Sequence, residues 1–217
     1  MPLSVPLPAS LTQALPTPGS TSQSGLSLHS HADRGREAVE QLVRTIYARR
    51  YGAHVPSFAP VLVSLQDGGA VLAAAGYRAA AAGPLFLEDY LSAPVETLIG
   101  KQTGVSLRRE GIVEVGHLTA ARSGEGRRLM QLLGLHLADQ GFDWIVGTFT
   151  QELRVMLVRL GVAPLTLGAA NPESLGGAAH VWGSYYEHEP LVLAIHLGRA
   201  LRQHLARQMR AAKRGDQ

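Results

Sequence analysis

Apolar residues recur along this chain at two different periods, and the order of those periods predicts the fold. Val39, Leu42, Val43, Ile46 and Tyr47 follow the spacing of one helical face, and Gly52 offers a left-handed cap just past Tyr51. Two short apolar runs, Val61 to Leu65 and Val71 to Tyr77, flank Gln66-Asp67-Gly68-Gly69, which is a hairpin signal. Leu87 to Leu91 reads as a helical turn that breaks before Pro94. Ile112 to Leu118 reads as a strand, Leu129, Leu132, Leu133, His136 and Leu137 as a helix ended by Gly141, and Trp144 to Thr150 as a central strand. Leu153, Met156, Leu157 and Leu160 place a third helix before Gly161, and Pro164 to Leu167 suggests a short strand. Residues 168–179 show little pattern; His180 to Tyr186 and Leu191 to Leu197 are then expected as two strands joined at Glu187-His188-Glu189-Pro190. Leu197, Leu201, Leu205 and Met209 close the chain as a basic helix. The order of elements predicts an α/β fold: one mixed sheet covered by helices on both sides.

Composition narrows the picture. Residues 1–32 are rich in Pro, Ser, Thr and Leu, so a disordered leader (1–32), one folded domain (33–198) and a basic C-terminal tail (199–217) are expected. Six cations (Arg199, Arg202, Arg207, Arg210, Lys213 and Arg214) face the single acid Asp216 in residues 196–217, so the net charge of +3 belongs to the tail and the body is mildly acidic. No nucleic-acid-binding surface is expected from that distribution. There is no cysteine, which excludes thiolate chemistry and disulfides. The nine histidines show no metal-ligand spacing, so no metal is expected. Without a membrane span or a secretory signal, the expected location is cytoplasmic.

One residue breaks the apolar pattern in an informative place. Glu114 sits in the middle of the strand Ile112-Val113-Glu114-Val115-Gly116-His117-Leu118, where an unpaired charge is costly. Alternation puts Glu114, Gly116 and Leu118 on one face and Val113, Val115 and His117 on the other. Gly116 beside the carboxylate leaves room for a ligand or another backbone. Either Glu114 works as a base whose pKa is raised by burial, or it is a structural ion-pair member held by Arg78, Arg108 or a tyrosine hydroxyl. Downstream, Arg122, Gly124, Gly126, Arg127 and Arg128 form a basic glycine turn entering a helix, an arrangement that can hold phosphate. Trp182, Tyr185 and Tyr186 make the richest aromatic cluster, suited to core packing or to lining a ligand.

Several separated motifs occur in one order: Tyr47-Ala48-Arg49-Arg50-Tyr51-Gly52-Ala53, Phe58-Ala59-Pro60, Gly76-Tyr77-Arg78, Pro84-Leu85-Phe86-Leu87-Glu88, Ile112 to Gly116, Arg159-Leu160-Gly161 and Trp182-Gly183-Ser184-Tyr185-Tyr186. On these the chain resembles the thermostable hemolysin family, whose members look like the N-acetyltransferase (GNAT) superfamily, over about residues 36–198. It is also similar to the acyl-homoserine-lactone synthases, which carry Glu-x-Ser-Arg-Phe where this chain has Glu114-Val115-Gly116-His117-Leu118. The resemblance implies a GNAT-like sheet and acyl transfer from a thioester donor, acyl-CoA or the acyl-phosphopantetheine of an acyl carrier protein, to a small-molecule amine. Glu114 would be the base and Tyr185 or Tyr186 the acid. The backbone of Val115, Gly116 and His117 would pair with pantetheine amides, the turn from Arg122 to Arg128 would hold phosphate, and Trp182 and Arg78 would meet the substrate. The turn departs from the superfamily's Arg/Gln-x-x-Gly-x-Gly/Ala, because Arg122 precedes Gly124 by only two residues, and Leu157 stands where many members have a tyrosine acid. Two other readings remain beside the enzyme: a membrane-active cytolytic protein working through the basic tail, and a GNAT scaffold kept for binding alone.

Overall fold

The computed structural model describes residues 25–215, with side chains through residue 210; the first 24 residues of the expected leader lie outside the described residues. The elements run β1 (Leu26–His29), α1 (Arg36–Tyr51), β2 (Val61–Asp67), β3 (Ala70–Ala79), α2 (Val95–Thr103), β4 (Ile112–Ala120), α3 (Glu125–Asp139), β5 (Trp144–Phe149), α4 (Gln151–Leu160), β6 (Leu165–Ala169), β7 (Leu191–His196) and α5 (Leu197–Gly215). The seven strands form one sheet in the order β1-β2-β3-β4-β5-β7-β6. Among the described residues only β4 and β5 pair in parallel; every other neighbouring pair is antiparallel.

The strands' two faces carry different cores. Val113 and Val115 of β4 pack with Leu129, Leu133 and Leu137 of α3 and Leu157 of α4. On the opposite face, Ile112, Val146 and Val192 pack with Val95 and Ile99 of α2, while Leu62 and Ala74 pack with Val39 and Val43 of α1. The mixed α/β sheet with helices on both sides is as the sequence predicts.

Three expectations need correction. The sheet begins at Leu26, ahead of residue 33, because Leu26–His29 pairs along β2. His29 hydrogen-bonds Ser64 Oγ through Nε2 at 2.9 Å. Its carbonyl accepts from the buried Arg36, which also donates to the carbonyls of Ala59 and Pro60. Four residues of alternation are too short a signal to stand out from a Pro- and Ser-rich context. Second, the turn expected at Leu87 to Leu91 is present as the 3₁₀ turn Phe86–Tyr90 and ends before Pro94, but Pro94 also caps a helix the sequence reading lacked, α2, whose Val95 and Ile99 are fully buried; proline suits that end because the first turn needs no donor from it.

The third correction concerns His180 to Tyr186, which is not a strand. Residues Pro172–His188 form successive 3₁₀ turns broken at Gly176 and Gly183, both with φ 53°. A Cβ on Gly183 would lie 2.0 Å from the Tyr51 carbonyl oxygen, so only glycine permits this crossing. Trp182, Tyr185 and Tyr186 are spaced three and four apart, which gathers their rings toward α1 instead of alternating them.

Helix α5 is part of the body where it starts. Leu197 is buried, Leu201 lies against Gly134 of α3, and Arg207 donates to the Arg159 carbonyl at the end of α4 at 3.0 Å. Leu205 and Met209 are exposed. Ending the chain after Gly198 should therefore cost about 2–3 kcal/mol, the burial of Leu201 and its neighbours. Ending it after Gln208 should change stability by no more than about 0.5 kcal/mol. Urea unfolding of the two truncations checks this.

Candidate active site

Glu114 lies between the α1 and α2 cores, on the sheet face they share. Among the described residues no arginine forms an ion pair with its carboxylate, and Arg78 acts on it only at longer range. Oε2 accepts the backbone N–H of Phe86 and Oε1 that of Leu87, both at 3.0 Å. Those amides open the 3₁₀ turn Phe86–Tyr90, whose first N–H groups need acceptors from outside the turn. Burial pushes the Glu114 carboxyl above the ordinary range, and the two amide hydrogen bonds only partly oppose it. The ion-pair expectation is corrected accordingly: Arg108 is on the surface beside Glu110, and Arg78 donates to the Pro84 carbonyl.

The same turn is held from its other side by a group that the sequence reading passed over. Arg109 donates to both carboxylate oxygens of Glu88 and to Glu96, each at 2.7 Å, and to the carbonyls of Ala80 and Gly83. Glu88 also accepts the N–H groups of Leu85 and Val95. The Arg109 guanidinium holds the Glu88 carboxyl down to about 2. Glu88 lies three residues after Leu85 and just ahead of α2, the spacing of a side chain that reaches back to cap a turn. That was the available signal.

The cavity beside Glu114 has a volume of about 110 Å³, with walls that include Arg78, Gly116, His117, Trp182 and Tyr185. A Cβ built on Gly116 would meet nothing within 4 Å, so the gap expected beside the carboxylate is present. Tyr185 donates to the Thr148 carbonyl at 3.4 Å, and burial raises its pKa well above the usual phenol value, so it is protonated at neutral pH. Tyr186 does not line the cavity; its hydroxyl lies 2.8 Å from that of Tyr90, which does.

His117 is not where simple alternation puts it. Gly116 pairs with Gly76 and Thr119 with Ala74, so His117 and Leu118 together oppose Ala75 in a β-bulge. His117 takes φ 56°. The extra residue turns its imidazole to the Glu114 side and sends Leu118 to the α3 core. The ring packs on Phe58 and its Nε2 lies 3.1 Å from the Ser57 carbonyl. Among the described residues Nδ1 then has no partner and is left as an acceptor, and burial lowers the imidazole pKa.

Parallel pairing of β4 with β5 runs from Ile112↔Trp144 to Glu114↔Val146 and no further. Beyond Glu114 the strands part, and a second groove of about 810 Å³ opens on that side, reaching Arg122, Gly124, Gly126 and Arg127 at the start of α3 and Met156 and Arg159 of α4. No side chain caps α3 at Gly124, and Gly124 and Gly126 line the groove's end, an arrangement that can take an anion. Arg128 is outside this lining and approaches Glu125 at 4.0 Å. Leu157 is fully buried in the core and offers no proton. Tyr47 of α1 borders both the groove and the cavity and forms the wall common to the two. No cluster of three or more His, Cys, Asp or Glu able to hold a metal occurs among the described residues.

Two variants test this geometry. Arg109→Met should lower stability by roughly 3 kcal/mol, because Glu88 and Glu96 lose their shared cation. In the wild type, Glu88 contributes stability that is complete above the ordinary Glu value of 4.5 and is lost as pH falls from there toward about 2; acid titration of the unfolding free energy should show that loss, and the variant, which keeps only the Leu85 and Val95 N–H bonds to Glu88, should show much less of it. Gly116→Val should fold with wild-type stability within about 1 kcal/mol, since its side chain enters open space, yet it should abolish occupancy of the cavity, as read by ligand-induced thermal shift.

The family model for thermostable hemolysin matches residues 29–201. No curated protein matches the sequence. Among solved structures, the chain is similar to FeeM, an N-acyl amino acid synthase from uncultured soil microbes, at 14% identity over 82% of this chain and 98% of that one, with TM-score 0.57. It is similar to the acyl-homoserine-lactone synthase LasI at 15% identity over 79% and 89%, with TM-score 0.55. It is also similar to BjaI, a CoA-dependent acyl-homoserine lactone synthase solved with SAM and isopentyl-CoA, at 14% identity over 84% and 88%, with TM-score 0.52. At these identities the likeness establishes the GNAT-like fold. With the family model spanning most of the chain, the protein belongs to the thermostable hemolysin family.

Proposed function

We propose that the protein transfers an acyl group from a thioester, acyl-CoA or an acyl carrier protein, to an amine. The observation that carries this reading is the parting of β4 and β5 immediately after a half-buried, cavity-facing carboxylate. Strand backbone freed from pairing is available to an extended amide-bearing donor arm, and the edge at Val115, Gly116 and His117 is where the pantetheine amides would add. The donor's phosphates would lie at Arg122, Gly124, Gly126 and Arg127, on the N-terminus of α3, with Arg128 a turn further out. The neighbours named above as acyl synthases, one of them solved with an acyl-CoA, support the same reading.

In the reaction the amine nitrogen attacks the thioester carbonyl carbon and the C–S bond breaks. Glu114 takes a proton from the nitrogen, which its raised pKa suits. The departing thiolate takes a proton from Tyr185 or from solvent, with Tyr186 acting only through its contact with Tyr90. Trp182 and Arg78 line the acceptor's side. Thioester donors are intracellular metabolites, so a cytoplasmic location goes with this reading; no helix among the described residues is long and apolar enough to cross a membrane.

A second reading concerns α5 alone. Leu205 and Met209 are exposed on the helix that bears Arg202 and Arg210, which suits contact with an acidic carrier protein or an anionic membrane surface. Such contact should weaken as ionic strength rises.

Glu114→Gln tests the central reading. The amide can accept only one of the two N–H bonds and sets its own NH₂ against the other, so stability should fall by about 1–3 kcal/mol. Turnover should fall by on the order of 10² to 10⁴. In the wild type, kcat/KM should rise with pH through the elevated Glu114 pKa, because only the ionised form accepts a proton, and that limb should vanish in the variant. Full acyl-transfer activity in a folded Glu114→Gln protein would remove Glu114 from the chemistry.

A further inference from the structure

Arg78 and Glu114 are direct cross-strand partners in the β3–β4 register. Side chains so placed share a face with Cβ atoms about 5 Å apart, where opposite charges ordinarily pair. These two form no ion pair among the described residues. Each is drawn toward the segment after β3: Arg78 Nη1 donates to the Pro84 carbonyl at 3.3 Å, and Glu114 accepts the Phe86 and Leu87 amides. Both line the one cavity. The carboxylate keeps lone pairs beyond the two it uses there, and the guanidinium keeps donors beyond the one directed at Pro84.

We infer that this held-apart pair recognises a zwitterion: the acceptor is an α-amino acid, its ammonium on Glu114 and its carboxylate on Arg78. The assignment rests on the acyl-transfer reading and names that site's substrate class. In an α-amino acid the two charges are separated by a single carbon, which suits adjacent strands of a sheet. A guanidinium meets a carboxylate through two parallel N–H bonds, a geometry that a simple amine cannot use. Gly116, paired with Gly76 one step along the same face, leaves the α-carbon's surroundings open.

The walls set the side chain. Phe58, Phe86, Tyr90 and Trp182 make the cavity's lining aromatic, and its volume of about 110 Å³ is below that of a cavity of about 150 Å³ known to admit benzene. Because the ammonium, α-carbon and carboxylate take part of that space, the side chain it leaves room for is small and apolar, such as that of alanine or valine. In the transfer, one ammonium proton goes to Glu114, one ends on the thiol, and one stays on the new amide nitrogen. Glu114 then returns its proton to solvent.

The experiment uses the full chain with L-alanine and L-valine, their carboxamides, and the amines ethylamine and isobutylamine. Binding is read by calorimetry without donor, and acyl transfer by thiol release from a panel of acyl-CoAs and acylated carrier protein. The two amino acids should bind and be acylated, with the carboxamides and amines weaker by roughly 10- to 100-fold, the loss of a charge-assisted contact. Arg78→Met should erase that preference, while Arg78→Lys should recover part of it. Acylation of the amines as efficient as that of the amino acids overturns this inference and leaves the transferase reading standing. Binding of the amino acids without thiol release from any donor does the reverse. No binding of either amino acid at tens of millimolar overturns the inference outright.

Discussion

The active-site side of the molecule depends on how one carboxylate is satisfied. Glu114 takes the first two N–H groups of the Phe86–Tyr90 turn, and in doing so fixes the position of the turn that supplies Phe86 and Tyr90 to the cavity wall. A carboxylate in this position serves packing and chemistry together, because the hydrogen bonds that hold the wall also limit how far burial can raise its pKa. Arg109 secures the same turn from behind through Glu88, so the wall does not rest on Glu114 alone and survives changes in that group's protonation.

Two backbone irregularities give that carboxylate its surroundings. The bulge at His117 costs a non-glycine residue at positive φ, on the order of 1–3 kcal/mol. What it provides is a second polar group on the Glu114 face, while Thr119 and Ala120 beyond it still pair with β3. The separation of β4 from β5 past Glu114 and Val146 then opens one side of the sheet toward the basic end of α3. The cavity and the groove flank β4 on either side of these two departures from regular pairing, with Tyr47 lining both.

Most of the sheet was legible in the sequence because its signals are local: the Asp67-Gly68-Gly69 turn, the helical stripe of α1, and the apolar runs of β4, β5 and β7. The glutamate in β4 was legible because it violates its strand's pattern. Its partners were not legible, since they are backbone amides from residues 28 and 27 positions away, and no side-chain pattern encodes a backbone donor. Arg109 was missed in favour of Arg108 for a similar reason, as adjacent arginines before a strand look alike until the turn aims one of them inward. His117 was placed on the wrong face because a bulge shifts the alternation by one residue without changing composition. The aromatic cluster after Pro172 was found, but it was assigned to a strand when its three-and-four spacing belongs to a helical turn.

The central claim is that Glu114 is a half-buried carboxylate facing the cavity, with a proton affinity raised enough to serve as a base. Its carboxyl carbon can be followed by NMR in protein labelled with ¹³C at glutamate, assigned by comparison with the Glu114→Gln variant and titrated with and without an acyl-CoA. The account predicts a midpoint above the ordinary Glu value of 4.5 and a further change when the donor binds. A midpoint at or below that value, unmoved by any thioester, would contradict it.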